Sequence, residues 1–108
     1  MNLDKLIGEY KGNARIYLEG SILSENGFNV GDRYTIEYTG DKILLSKNTA
    51  GKKKVSKKVK SGTLIPVIDL CDGKKNQNIR MILGGKNTAI KIGLISCEPN
   101  VLAIIKGE

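Results

Sequence analysis

Residues 33–47 read RYTIEYTGDKILLSK, and the alternation in that stretch is not the pattern of a helix. Tyr34, Ile36 and Tyr38 alternate with Arg33, Thr35 and Glu37, a Gly-Asp pair interrupts the run, and Ile43 and Leu45 resume it. Successive side chains of a strand point to opposite faces, so a period of two sends one face to a core and the other to water. The Gly-Asp pair supplies the tight reversal between two such runs. The segment is a β-hairpin, and a chain that must cover one face of a hairpin has to supply more sheet.

The remaining sequence offers it. Residues 14–18 (ARIYL) read as a strand, and residues 21–28 (SILSENGF) as a helical turn with Ser21 as its cap and Gly27 as its end. Residues 63–70 (TLIPVIDL) are strand-like again, with Pro66 placing them at a sheet edge or a strand beginning. A second hairpin is expected over 79–92, Ile79, Met81 and Leu83 alternating into a GGKN turn at 84–87 and Ile90 and Ile92 alternating out of it. Residues 100–107 (NVLAIIKG) form a last strand, set off by Glu98-Pro99. At the start, Leu3, Leu6, Ile7 and Tyr10 keep the i, i+3, i+4, i+7 spacing of a helix face, with Gly12 and Asn13 as its stop.

The two parts, 14–47 and 64–108, therefore share one plan of lone strand, connection and hairpin. A chain of 108 residues is one ordinary domain. The expected fold is mostly β: a small barrel closed from two strand-plus-hairpin halves, with a short N-terminal helix. Pairing of the two halves in cis makes a monomeric pseudo-dimer the expected assembly, ahead of a homodimer.

Between the halves lies NTAGKKKVSKKVKSGT, residues 48–63, with six lysines and no acid, while the net charge of the whole chain is +7. Residues 1–47 contribute −1 and residues 64–108 contribute +2, so this run is nearly the entire excess. A net positive balance favours anionic partners. A linker needs solubility but hardly six like charges that repel one another, so the run reads as a flexible arm that lies along phosphates.

The first half can be written I-x-L-x-G-x-x-L-x-x-x-G-F-x-x-G-D-x-x-x-I, carried by Ile16, Leu18, Gly20, Leu23, Gly27, Phe28, Gly31, Asp32 and Ile36. Over residues 14–47 this resembles the swapped-hairpin superfamily of AbrB, MazE and SpoVT type domains, most closely its SymE-like branch. The resemblance implies a nucleic-acid-associated protein: AbrB and MazE type members are DNA-binding regulators or antitoxins, and SymE-like members are described as toxins acting on RNA or the nucleoid. Residues 64–105 lack a GF-x-x-GD equivalent, and Ile22 stands where SymE-like sequences often carry Trp.

Enzyme chemistry finds little support. The chain has no histidine, the usual general base at neutral pH. Cys71 and Cys97 have no CxxC spacing and no activating neighbour, and both read as reduced, semi-buried thiols. Asp69 and Asp72 are too few acids for a magnesium site, and GGKNT at 84–88 lacks the full phosphate-loop frame. No cofactor or metal is expected. No apolar stretch approaches the ~20 residues that span a bilayer, and the expected location is the cytoplasm.

The expected function is nucleic-acid binding, DNA ahead of RNA, of regulator or antitoxin type. Its expected contacts are phosphate contacts by Arg15, Arg33, Lys42, Lys47, Lys52, Lys53, Lys54, Lys57, Lys58 and Lys60. Tyr10, Tyr17, Tyr34 and Tyr38 are candidates for stacking on unpaired bases. The alternatives are a small basic inhibitor docking on a larger nucleic-acid enzyme, as phage-encoded inhibitors of host defence do, and a SymE-like toxin acting on RNA.

Overall fold

A computed structural model describes residues 3–95 and 98–107. The chain runs β1 (Leu3–Leu6), β2 (Gly8–Tyr10), β3 (Asn13–Glu19), α1 (Ser21–Ser24), β4 (Arg33–Tyr38), β5 (Lys42–Lys47), β6 (Lys53–Lys54), β7 (Ser56–Lys60), β8 (Thr63–Cys71), α2 (Asn78–Ile82), β9 (Ala89–Ile95) and β10 (Glu98–Lys106). One sheet has the order β1-β9-β10-β5-β4-β6 and the other β2-β3-β8-β7. The hairpin expected at 33–47 is β4 and β5, paired from Tyr34 against Lys47 to Tyr38 against Ile43.

The mostly-β class holds; the closed barrel does not. The two sheets stay separate ladders, and the reason lies at two corners. Ile7, between β1 and β2, and Val55, between β6 and β7, are both buried where the chain passes from the larger sheet to the smaller. Their backbone groups bond to the segments ahead of the opposing hairpins. Ile7 N–H donates to Thr88 O (2.9 Å) and Asn87 N–H to Ile7 O (2.8 Å), while Val55 N–H donates to Asp32 O (2.8 Å) and Gly31 N–H to Val55 O (3.0 Å). Among the described residues, β6 pairs with β4 at Arg33 and Tyr34, and β7 pairs with β8 no further than Val67. The strand edges beyond those points lie in different sheets.

These corners also reveal a repeat, in a different register from the one the sequence suggested. The order strand, buried corner, strand, turn, strand, short helix, hairpin occurs twice, as β1 to β5 and as β6 to β10. The turn from β2 to β3 uses Lys11 (φ 51°) and Gly12 (φ 82°), and the turn from β7 to β8 uses Ser61 (φ 52°) and Gly62 (φ 79°). Two consecutive left-handed residues match the right-handed twist of the flanking strands, and glycine takes that conformation without steric cost. Gly31 and Asn87, each just ahead of its hairpin, are left-handed as well. The copies interlock: β3 pairs with β8, β5 with β10, and the first strand of each copy lies on the hairpin of the other, β1 on β9 and β6 on β4.

Four local expectations are corrected. Leu3 to Tyr10 is strand, because a helical signature this short has no stability of its own while the edge of β9 offers partners from Leu3 against Ile92 to Leu6 against Ala89. The expected strand at 79–83 is α2, so the second hairpin is β9 with β10. Ile79 and Leu83 are buried one helical turn apart, and Met81 between them is 80% exposed. Finally, Pro66 sits inside β8, against Lys57 of β7. It lies one residue past the last β3 partner, where Gly20 O already accepts bonds from Leu23 and Ser24 N–H, so its missing N–H costs the ladder nothing there. Gly20, not Ser21, holds the N-cap position of α1, with no side-chain cap.

Asp72 explains why α2 forms. Its buried carboxylate accepts Ile79 N–H at 2.9 Å and Arg80 N–H at 3.0 Å, satisfying two donors that the start of a helix leaves free. Asp72→Ala is expected to cost about 1–3 kcal/mol, because it strands both donors. Urea unfolding would measure it, and a loss below about 0.5 kcal/mol would show that water replaces the cap.

The core between the sheets is formed by the inward residues of the strands, among them Ile16, Leu18, Ile43, Leu45, Ile68, Leu70, Ile90, Ile92, Leu102 and Ile104, all buried. Phe28, fully buried after α1, closes one end and meets Tyr34 edge-on at 6.4 Å between ring centroids.

Candidate functional site

The lysine-rich segment is no flexible arm. Lys53 and Lys54 form β6 on the edge of the larger sheet, Ser56 to Lys60 form β7 on the edge of the smaller, and buried Val55 joins them into one ribbon. Its charge survives because an edge strand exposes its side chains: Lys52, Lys53, Lys54, Lys57, Lys58 and Lys60 are all exposed. Residues 48–51 anchor the ribbon, with Asn48 N–H on Arg33 O at 2.9 Å and Gly51 buried against the Tyr34 backbone. A Cβ on Gly51 would collide with the Tyr34 backbone, at its carbonyl O and C. Gly51→Ala is therefore expected to cost about 1–3 kcal/mol as the ribbon is pushed off β4. A thermal melt unchanged within error would contradict this anchoring.

The structure sorts the ten basic residues expected to bind. Lys54 sits beside Arg33 across β6 and β4, and Lys53 beside Tyr34 on the opposite side of the ribbon. Arg33 also reaches Gly51 O at 3.3 Å. Lys58 and Lys60 are partly committed, at 3.2 and 3.6 Å from the Glu19 carboxylate. Lys58 holds that carboxylate below its ordinary range, and Glu19 in turn raises the Lys58 ammonium. Lys47 is bonded to Asp32 at 3.3 Å, where the Asn29 backbone N–H is the main cause lowering the carboxyl and Lys47 adds to it. Lys42, at the turn end of β5, lies opposite Ile105 and apart from the ribbon.

Arg15 is the residue most fully occupied. Its guanidinium makes a two-pronged bridge to Asp69, Nε to Oδ1 at 2.9 Å and Nη2 to Oδ2 at 2.8 Å, and lies 5.6 Å and 5.0 Å from the Tyr10 and Tyr17 ring centroids. The Asp69 hydrogen bond raises it further above its ordinary value. Sequence reasoning missed Asp69 and Glu19 as partners, although the alternation of β3 already placed Arg15, Tyr17 and Glu19 on one face. Among the described residues no group of three His, Cys, Asp or Glu side chains is arranged to hold a metal ion. Cys71 is exposed and free, and Cys97 lies outside the described residues.

Next to the ribbon a cleft of about 670 Å³ opens between β4 and the end of β8. Its lining combines apolar Ile36 and Leu70, the rings of Tyr34 and Tyr38, and the charged Lys52, Lys53 and Asp69. Tyr34 is 3% exposed and Tyr38 40%, so of these two rings only Tyr38 presents a substantial surface. Burial pushes both phenols upward; for Tyr38, Asp72 adds to the rise and a hydrogen bond from Asn78 opposes it.

Comparison with protein-family models, with curated proteins and with solved structures found no match to this chain. No helix among the described residues is long and apolar enough to cross a membrane.

Proposed function

We propose that this chain is a nucleic-acid-binding protein, of regulator or antitoxin type and with DNA as its first target, which grips the phosphate backbone with the 52–60 ribbon and Arg33. One observation carries the reading: the two copies of the same structural element differ in charge far more than their structural duty requires. The ribbon β1 to β2, residues 3–10, lines the opposite edges of the two sheets with Asp4, Lys5 and Glu9, a balance of −1. The ribbon β6 to β7, residues 53–60, does the equivalent work with five lysines and no acid, and Lys52 stands just ahead of it. Charged side chains on edge strands guard against aggregation, yet the first copy guards its edges with only three charges of both signs. The surplus on the second copy is what a polyanion would recognise.

The resemblance of residues 14–47 to swapped-hairpin domains supports the choice of nucleic acid over other polyanions. So does the exchange of first strands between the two copies. Fluorescence anisotropy against labelled duplex DNA, single-stranded DNA and RNA at low salt tests the proposal. Binding that weakens steeply as salt rises is expected, and the absence of binding to all three at low salt would overturn it.

A further inference from the structure

The cleft beside the ribbon lies where phosphate contacts would deliver a nucleotide, and its lining differs from that of the matching place on the other side of the duplicated frame, where β1 lies on β9. Position by position along β4 and β9, Tyr34 and Ile36 correspond to Ile90 and Ile92 when the left-handed Gly31 and Asn87 are superposed, and Tyr38 corresponds to Leu94. The lysines of its lining, Lys52 and Lys53, correspond to Asp4 and Lys5 when the Val55 and Ile7 corners are superposed. Another cavity, about 520 Å³ and lined by Asp4, Lys5, Ile90 and Lys91 among others, has no tyrosine in its lining. Each cavity is lined by two lysines and one aspartate, but the aromatic rings have been gathered on one side of a duplicated frame. Core packing does not require a ring at position 34, because buried Ile90 serves at the equivalent position.

We infer that this cleft takes one unpaired base of a single-stranded nucleic acid, stacked against Tyr38, while Lys52 and Lys53 hold the adjoining phosphates. The inference rests on the nucleic-acid reading above. A base needs an aromatic or apolar face and polar groups at its edge. Tyr38 and Ile36 supply the first, and Asn76, at the β8 side of the cleft, supplies an amide that both donates and accepts. Paired bases cannot enter, since a base inside a duplex is covered above and below by its neighbours.

The test compares an oligothymidylate with a duplex of equal length, using the wild-type chain, Tyr38→Ala and Tyr38→Leu. Tyr38→Ala is expected to weaken the single strand about 5- to 150-fold, the range of one lost base stack, and to leave the duplex within twofold. Tyr38→Leu keeps apolar bulk where Ala could loosen the fold, and it should lose single-strand affinity at an unchanged melting temperature. Photocrosslinking of a bromouridine-substituted strand should modify the peptide that contains Tyr38. If both strands bind and neither variant changes their ratio, the base pocket is wrong and the phosphate-binding ribbon stands. If neither strand binds the wild type, both fall.

Discussion

Phe28→Ala is expected to lower the free energy of unfolding by about 3–5 kcal/mol, the largest stability loss expected of any substitution considered for this chain. Phe28 is the only phenylalanine, it is fully buried, and its backbone N–H closes the turn after α1 onto Leu23 O at 2.8 Å. Truncation leaves a cavity at the end of the core, against the edge of the Tyr34 ring. The turn from Gly27 to Gly31 holds the second corner, because Gly31 and Asp32 make the backbone bonds to Val55. The loss should therefore reach the ribbon. With total stabilities of about 5–15 kcal/mol usual for a domain, the variant should show either a melting temperature lowered by many degrees or no cooperative transition. Urea unfolding followed by circular dichroism measures it, and a loss under about 1 kcal/mol would mean that this end of the core is not closed by Phe28.

What could be read in the letters was what local chemistry decides. The hairpin of β4 and β5 was legible because its alternation is regular and its turn pair unambiguous. The helical turn before Phe28 was legible because a glycine ends it. The segment at 79–83 misled because Ile79, Met81 and Leu83 also alternate; the contact that makes it a helix comes from Asp72, outside the window that a periodicity reads. Leu3 to Tyr10 misled in the opposite direction, since β1 is made strand by β9, nearly a whole chain length away, and β2 by β3 across the Lys11–Gly12 turn. The barrel failed for a related reason. Closure depends on whether strands continue pairing past Ile7 and Val55, and the corner bonds that stop them are made by backbone groups that carry no residue signature.

The lysines were conspicuous in the sequence, but their setting was not. Alternation is weak in KKKVSKKVK, and only the burial of Val55 shows that the run is pinned at its centre. Pinning changes the physics of binding. A flexible arm loses conformational freedom when it settles on phosphates, whereas a paired ribbon has already given that freedom up in folding. The cleft was not legible at all, because Tyr38, Leu70 and Lys52 come together only when the two copies interlock.

Replacing Lys52, Lys53, Lys54, Lys57, Lys58 and Lys60 together with Gln is expected to have the largest effect on binding. The fold should survive, since the six side chains are exposed and the ion pairs they lose, Lys58 and Lys60 with Glu19, lie at the surface where such pairs contribute little. Binding should not survive at moderate salt. About half of the six would touch phosphate at once, with Lys58 and Lys60 drawn partly to Glu19, and each contact with a duplex adds about 0.9 to the slope of log affinity against log salt.

That slope is the most direct measurement of the central claim that the ribbon is a phosphate-binding surface. Anisotropy titrations of one duplex across a series of salt concentrations, with the wild-type chain and with the six-glutamine variant, should give slopes that differ by about 3, the variant being the flatter. Equal slopes for two folded proteins would contradict the claim and leave the lysines as guards of an exposed sheet edge.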